Sequence, residues 1–495
     1  MKQFPNGMAL CVGLITAQLI ACIHIGLSNI RFYNKLKAIS DAGYLPVPNL
    51  QTAELLKSFE TAFFGGIFFT LSVGLFISLS SLAGTWIWLR HPSRRKPLLF
   101  IMMLGWLGCI IFINAQGISV MATAYFIFIP PAVFFSLLKW PPGSASPNSW
   151  RPAFLHLTCV IIIALAGAGR VNAAAFSMIR DHFLLSNPVG VAINNFYYRY
   201  TLYPAQVFKN MDQDQIRICR ITANSDGSQI PRLKNILLSY DYCPIPDSSG
   251  PVDLDIVQIN ENLSFQHRGE EVFQIPFEEF WKNTGKTLKQ FSRQTDRYLP
   301  FRQFTFISLI TVCGAGAYFI LWGAFFLLFR IFLKSPPATV LAMIFCIAAG
   351  LSAFSHWPSG VPKLPKDQTL KTALASEDPA IRVTALKMIY FHGRELADFK
   401  SFPSMARSGY VLERYWLARS LTHSRSPATY AVHLSLLDDP QINVAYMAFQ
   451  SMAGRGEKQA VSEILKRINT SNQWYVQWYA YRTLRKLGWN QTASN

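Results

Sequence analysis

Residues 303–329 read QFTFISLITVCGAGAYFILWGAFFLLF, a run with no charged side chain. Hydrocarbon offers backbone amides no hydrogen-bond partners, so such a run must fold as a helix. About 20 residues at a rise of about 1.5 Å each are enough to cross a bilayer core about 30 Å thick. Six further stretches share the character, approximately 7–29, 61–89, 97–115, 118–138, 152–169 and 336–355. The expected fold class is an α-helical polytopic membrane protein with about seven spans. Composition agrees: of 495 residues 51% are hydrophobic and only 15% charged, where soluble domains carry about 25%. A soluble cytosolic enzyme is excluded.

The net charge of +19 points to nucleic acid only if it lies on one folded surface. Residues 1–170 with 303–360 carry 14 Lys/Arg against 3 acids, residues 171–302 carry 14 against 14, and residues 361–495 carry 18 against 10. The largest excess therefore sits in short loops between apolar runs, where it records membrane orientation. No nucleic-acid partner is expected. Arg90 with His91-Pro92-Ser93-Arg94-Arg95-Lys96 is the strongest cytoplasmic marker, and placing it inside also places Lys2, Lys139, Arg151, Arg330 and Lys334 inside. The N-terminus is then cytoplasmic, and an odd number of spans exports residues 171–302 and the C-terminal region, to the periplasm if the membrane is a bacterial inner membrane. Four segments are expected: spans one to five in 1–170, an exported α+β domain in 171–302, spans six and seven in 303–360, and a helical domain in 361–495.

Six of the eight cysteines (Cys11, Cys22, Cys109, Cys159, Cys313, Cys346) lie in apolar spans, where a thiol behaves as a small hydrophobe. Cys219 and Cys243 fall in the exported segment, where an oxidising compartment favours their pairing, so a disulfide between them is expected; the alternative is two unrelated buried thiols. Leu19-Ile20-Ala21-Cys22 resembles the lipobox of bacterial lipoproteins, with Lys2 as a thin basic start. Ile23, Ile25, Gly26 and Leu27 continue the apolar run, which favours an uncleaved span.

No Asp or Glu lies inside the seven spans, which argues against ion-coupled transport. His24 and His156 are the ionisable exceptions, read as hydrogen-bonded between helices. Thr70, Gly74 and Ser78 at four-residue spacing mark a packing face. Asn114-Ala115-Gln116-Gly117 makes a hairpin turn, and Pro130-Pro131 should kink the following span.

Within 171–302, the aromatic segment Asn194-Asn195-Phe196-Tyr197-Tyr198-Arg199-Tyr200 fits an interfacial aromatic belt better than a ligand site. Alternating runs at 215–221, 233–243, 252–260 and 262–275, with the turn His267-Arg268-Gly269, predict a small antiparallel sheet. A charged helix over about 277–299, carrying Lys282, Lys286, Lys289, Arg293 and Arg297, is expected to run into span six as a stalk. Asp212-Gln213-Asp214 and Asp253-Leu254-Asp255 have the spacing of paired carboxylates that hold a divalent ion, but Asp253 and Asp255 share one strand face and are read as its solvated side. GxSxG, Walker, HExxH and CxxC motifs are missing, and no cofactor or metal is expected.

Residues 361–495 repeat. From Ile381, Glu413, Val444 and Val476 the same helical pattern recurs: Ala385, Leu417, Ala448 and Ala480 four residues on, Ile389, Leu421, Met452 and Leu484 eight on, and Gly393, Gly456 and Gly488 twelve on, with Arg425 the exception. Apolar residues at that spacing define one buried face, and the glycine supplies a C-cap. Two helices per period of about 32 residues predict a stacked α-solenoid. Asp378-Pro379-Ala380-Ile381-Arg382-Val383-Thr384-Ala385-Leu386 resembles the HEAT-like repeat, an Asp-Pro turn followed by Val-Arg-x-x-Ala, and Val476-Gln477-Trp478-Tyr479-Ala480 looks like a variant. Repeat two departs from it, with Glu413 at the apolar position, and repeat three has Asp439-Pro440 displaced. The resemblance covers about a quarter of the chain and implies protein binding on the solenoid surface; some HEAT-like proteins are bilin lyases, but no catalytic residue carries over.

On the last helix Trp474, Tyr475 and Trp478, with Arg482 and Arg485, are the candidate interaction surface, although core packing accounts for some of the aromatic residues. The function expected is a non-catalytic inner-membrane scaffold or adaptor that presents the exported repeat to another membrane or periplasmic protein. The alternatives are an accessory or permease-like subunit of an export complex, and an enzyme on lipid-linked substrates using Asp41, Glu54 or Glu60.

Overall fold

The charge-free runs fold as helices, and the chain's polar stretches decide where those helices end. A computed structural model describes residues 4–140, 150–167, 173–223, 229–246, 250–355, 364 and 369–492; Lys2 lies outside them. Helix α1 (Phe4–Asp41) continues well past residue 29 through a polar second half. Helix α2 (Phe59–Arg90) contains a π-helical turn at Thr70–Gly74. Then come α3 (Arg95–Ile113), α4 (Val120–Lys139), which runs through Pro130 and Pro131, and α5 (Trp150–Gly167). A short amphipathic helix, α6 (Pro188–Tyr200), leads into β1 (Arg217–Ala223), α7 (Ile230–Ser239), β2 (Tyr242–Pro244), β3 (Leu254–Ile259), β4 (Asn262–His267), β5 (Glu270–Pro276) and α8 (Phe277–Gln294). Helices α9 (Leu299–Arg330) and α10 (Ser335–Ser355) are again apolar. The C-terminal region is built from α11 (Pro379–His392), α12 (Val411–Ser420), α13 (Tyr430–Leu437), α14 (Ile442–Arg455), α15 (Val461–Thr470) and α16 (Trp474–Lys486).

Among the described residues six helices are long and apolar enough to cross a membrane: α1, α2, the helix that contains α3, α4, α9 and α10. The chain is a multi-pass membrane protein. The apolar segment Phe154–Gly167 of α5 is shorter than these six.

The chain divides into two compact units. The first comprises Met1–Ile25, Ala62–Ile179 and Arg297–Ser359. Here the small face of α2 packs on α1 as its spacing implies: a Cβ on Gly74 would stand 2.4 Å from the Cβ of Ala17, and Thr70 Oγ1 donates to Gln18 Oε1 at 2.6 Å. His156 Nδ1 meets the Tyr318 hydroxyl at 2.9 Å, joining α5 to α9 as expected of a histidine in a span. His24 is buried among the rings of Phe69, Tyr125, Tyr298 and Phe301. The Asn114 side chain closes the hairpin turn by accepting from Ser119 N at 2.9 Å.

The second unit comprises Gly26–Thr61, Arg180–Asp296 and Gly360–Asn495. Its five-stranded sheet has the order β2-β1-β3-β4-β5. The sheet is mixed, not antiparallel as expected, because β1 pairs parallel with both β2 and β3. The cause is the run 233–243. Leu233 and Leu237, four apart and both buried, put it on a helical period, and α7 becomes the crossover that parallel pairing needs. The hairpin β4–β5 does turn at Arg268 and Gly269, both at positive φ. The stalk is interrupted: α8 ends at Gln294, α9 starts at Leu299, and α8 itself leaves helical geometry at Asn283.

Cys219 and Cys243 are free thiols, and the expected disulfide is absent. In the parallel register Ile218 stands opposite Cys243 and Cys219 opposite Pro244. Side chains alternate faces along a strand, so the two thiols point to opposite sides of the sheet. Cys219 joins the core that α7 and α8 form with the sheet, beside Leu233, Phe265 and Phe291. Cys243 joins the other core, with Ile218, Ile245, Ile39 and Val47, which is continuous with the C-terminal helices.

In that region α11 packs on α12, α12 on α14 and α14 on α16, while α13 and α15 lie against α14 and α16. The residues singled out at four and eight positions along each repeat are all buried. Gly393, Gly456 and Gly488 each adopt positive φ at or just beyond a helix end, where a side chain would strain the backbone.

Candidate interaction surface

The position after each repeat's first residue carries Arg382, Arg414, Ala445 and Gln477. Three of the four make polar contacts that hold neighbouring segments. The Arg382 guanidinium reaches Glu413 of the next repeat, with Nη2 2.8 Å from Oε2. Arg414 bridges to Asp439, Nη2 donating to Oδ1 at 3.1 Å. Gln477, fully buried, accepts from Asn49 N at 2.7 Å and donates to Thr52 Oγ1 at 2.8 Å. Glu413 and Asp439, which mark two of the departures from the repeat pattern, are thus the acceptors of its arginines. Aligning the repeats side by side, which exposes the repeated arginine, was the available signal.

Each acid-x-acid motif is split, and one carboxylate of each, Asp214 after a short 3-10 turn and Asp253 just before β3, meets on a lysine. Asp214 and Asp253 lie 3.0 and 2.7 Å from Lys35 Nζ, all three largely buried. Asp255 pairs instead with Arg220 at 3.3 Å. Burial works against the Asp214 carboxylate, but Lys35 and Lys209 outweigh it and hold its pKa below the ordinary range. Burial lowers that of Lys209. A second hub forms on Asp181, which takes Arg180 at 2.6 Å, Lys387 at 2.7 Å and the Trp416 indole N–H at 3.0 Å. These carboxylates are spent on cations of the same chain. Among the described residues no group of three His, Cys, Asp or Glu is placed to hold a metal ion.

Most of the aromatic surface expected on α16 turns inward. Trp474 is buried, stacked on Phe32 with centroids 5.4 Å apart and edge-on to Tyr203. The Tyr475 ring meets Tyr198 at 4.8 Å, and its hydroxyl lies 3.2 Å from Thr201 Oγ1. Arg485 Nε lies 2.9 Å from Asp241, which also accepts from the Tyr481 hydroxyl at 2.6 Å. Burial raises the pKa of Asp241 in spite of both. What stays open is the half-buried Trp478, flanked by Lys209 and by the exposed Arg482. Aromatic residues are large enough to serve core and surface alike, and sequence spacing alone does not separate the two.

A second surface lies where the charged stalk was expected. At the break in α8, Trp281, Lys282, Lys286 and Lys289 form one wall of a cleft of about 650 Å³, with Arg217, Tyr240 and Tyr242 opposite. Arg217 donates to three backbone carbonyls, of Met211, Asp214 and Tyr240, and its guanidinium lies 5.0 Å from the Tyr242 ring. Asp212 and Asp241 also border the cleft, leaving cations in excess. In the first unit an apolar crevice of about 530 Å³ runs between α2, α3, α4 and α9, lined by Phe76, Met102, Trp106, Phe134 and Phe304.

Asp41, Glu54 and Glu60 do not converge on one partner. Asp41 ends α1 and is exposed; Glu54 binds Lys57 at 2.9 Å and Tyr33 at 2.6 Å; Glu60 accepts from Arg199 at 3.1 Å and Tyr200 at 2.5 Å.

Compared with family models, curated proteins and solved structures, the chain finds no match.

Proposed function

We propose that this protein is a membrane-anchored adaptor: its apolar helices hold it in a bacterial inner membrane, and its second unit, with a HEAT-like stack of helices at one end, recruits another protein on the outer face. The observation that carries the reading is that residues 26–61, 180–296 and 360–495 belong to one unit with a shared core. Three segments so far apart in sequence then form one firm platform, joined to the membrane at several points.

The same observation supports the topology. Segments of one unit share one side of the membrane. From residue 61, helices α2, α3 and α4 make three crossings, so a fourth is needed before residue 180, and α5 supplies it with 18 residues, about 27 Å of helix. With α1, α9 and α10 the crossings total seven, and the arginine-rich turn at 90–96 faces the cytoplasm.

Copurification of the full chain in mild detergent tests the function. A stoichiometric soluble partner is expected, lost on Arg482→Glu if it docks on the repeat or on Lys286→Glu if it docks in the cleft. Recovery of the chain alone from its native membrane overturns the adaptor. The apolar crevice favours one other reading, a subunit of an export complex, and recovery of a stoichiometric cytoplasmic ATPase would select it.

A further inference from the structure

Helix α6 has two faces of different chemistry. Asn187 starts it by accepting from Gly190 N at 2.8 Å, with Pro188 in the first turn. Gly190 packs so closely against the preceding turn that a Cβ would overlap the Phe183 carbonyl oxygen. One face is fixed to the C-terminal helices. Asn194 is buried and donates to Asn443 Oδ1 at 2.5 Å, Asn443 donates in turn to the Tyr198 hydroxyl at 3.3 Å, and the Tyr198 ring packs on Tyr446 and Tyr475.

The opposite face is apolar and open. Val189 is 70% exposed, Ile193 58%, Phe196 45% and Tyr197 53%. Steps of four, three and one residues put them on a single stripe. Phe183, one turn before the helix, is 63% exposed. In water such a stripe is unfavourable, and the chain supplies a nearby alternative. Arg199 and Tyr200, at the C-terminal end of α6, both bind Glu60. Glu60 stands in the first turn of α2, a helix long and apolar enough to cross a membrane, beside Phe59, itself 75% exposed. The end of α6 is therefore pinned to the turn at which a span leaves the water.

We infer that α6 is an interfacial helix, lying in the headgroup layer of the outer leaflet with Val189, Ile193, Phe196 and Tyr197 inserted among the upper acyl chains. Amphipathic helices bury a stripe of this kind about 5–10 Å deep at that boundary. Since its other face carries the Asn194–Asn443 and Tyr198–Tyr475 contacts, the helix seats the C-terminal region on the membrane surface. The inference needs only that α2 crosses the bilayer and stands whether or not the protein recruits a partner.

The test is photo-cross-linking in the full chain, with benzoylphenylalanine placed singly at Ile193, at Phe196, or at Lys486, an exposed position on α16. The protein is reconstituted in vesicles of phosphatidylethanolamine and phosphatidylglycerol, irradiated and examined by mass spectrometry. Phospholipid adducts are expected at 193 and 196 and none at 486. Adducts at 193 and 196 to a second copy of the chain, or to another protein when native membranes are used, overturn the inference and make the stripe a protein interface. Equal lipid labelling at all three positions, or none at any, overturns it as well. Both stripe residues are already exposed, so the probe leaves the buried face of α6 intact.

Discussion

Arg382 and Glu413 stand one repeat apart in sequence and face each other across α11 and α12, with Nη2 2.8 Å from Oε2. The pair is unequal. Glu413 is fully buried, while the Arg382 side chain keeps 19% of its surface exposed and also donates to the Ser376 and Glu377 carbonyls.

From that inequality follows an ordering of variants. Arg382→Ala strands a buried carboxylate whose other side-chain donor is the Ser408 hydroxyl at 2.6 Å, and it should cost about 3 kcal/mol or more. Glu413→Ala leaves a guanidinium that keeps its carbonyl acceptors and some water, and should cost about 1–2 kcal/mol. Replacing both, as Arg382→Met with Glu413→Leu, should restore most of the loss, because two apolar groups need no desolvation. Thermal unfolding of the detergent-solubilised protein gives the order; a greater loss for Glu413→Ala would contradict it.

His433 should make the second unit sensitive to mild acid. The ring is buried, with Nε2 2.9 Å from the Ala448 carbonyl and 2.6 Å from Ser451 Oγ. Burial, helped by the Arg455 charge, pushes its pKa down to about 4 in spite of the Ala448 carbonyl. An unfolded histidine titrates near 6.5, so between those values the unfolded chain binds the proton more readily. Stability should therefore be unaffected above pH about 6.5 and fall as the pH drops toward about 4, by about 3 kcal/mol in all. His433→Gln should flatten the profile in that window. An unchanged slope in the variant would remove His433 as the cause.

Thiol chemistry checks the sheet register. With Cys219 and Cys243 on opposite faces, oxidation cannot join them without breaking β1 from β2. Protein purified without reductant, unfolded in iodoacetamide and digested should yield both cysteines as alkylated peptides, and a disulfide-linked 219–243 peptide would show that the register is wrong.

The apolar helices were legible because lipid as a solvent permits few alternatives: a charge-free run of sufficient length has nothing else to become. The burial of Ala385, Ala448 and Ala480 was legible for a related reason, since each is a small residue on the apolar face of its helix. Elsewhere the sequence was ambiguous for identifiable causes. The run 233–243 holds apolar residues at both helical and strand spacing, and the choice is made by Leu233 and Leu237 docking beneath the sheet. The partners of Trp474 lie hundreds of residues away, in Phe32 and Tyr203, so whether it faced solvent was decided by contacts that no local pattern carries. For the same reason Asp214, Asp253 and Lys35 look like unrelated surface charges until the chain closes.

Asn49 provides the sharpest check that the loop after α1 and the last repeat belong to one unit. Its side-chain amide donates to the carbonyls of Ile468, Asn469 and Ser471 at 2.9, 3.1 and 3.2 Å, while Oδ1 accepts from Thr52 N and the backbone N–H donates to Gln477. Asn49→Ala removes the cap and takes the side-chain donor from the Ile468 and Asn469 carbonyls, while that of Ser471 keeps Gln477 and Thr52, at a cost of about 2 kcal/mol. Asn49→Asp should be worse, because it keeps the cap but turns a carboxylate toward those same carbonyls, and burial forbids leaving it charged and unpaired. The loss should appear far from the substitution in sequence. Amide hydrogen exchange should quicken across α15 and α16, while the helices of the first unit keep their protection. Faster exchange confined to residues 45–58 would mean that the loop merely rests on the repeat and does not hold it.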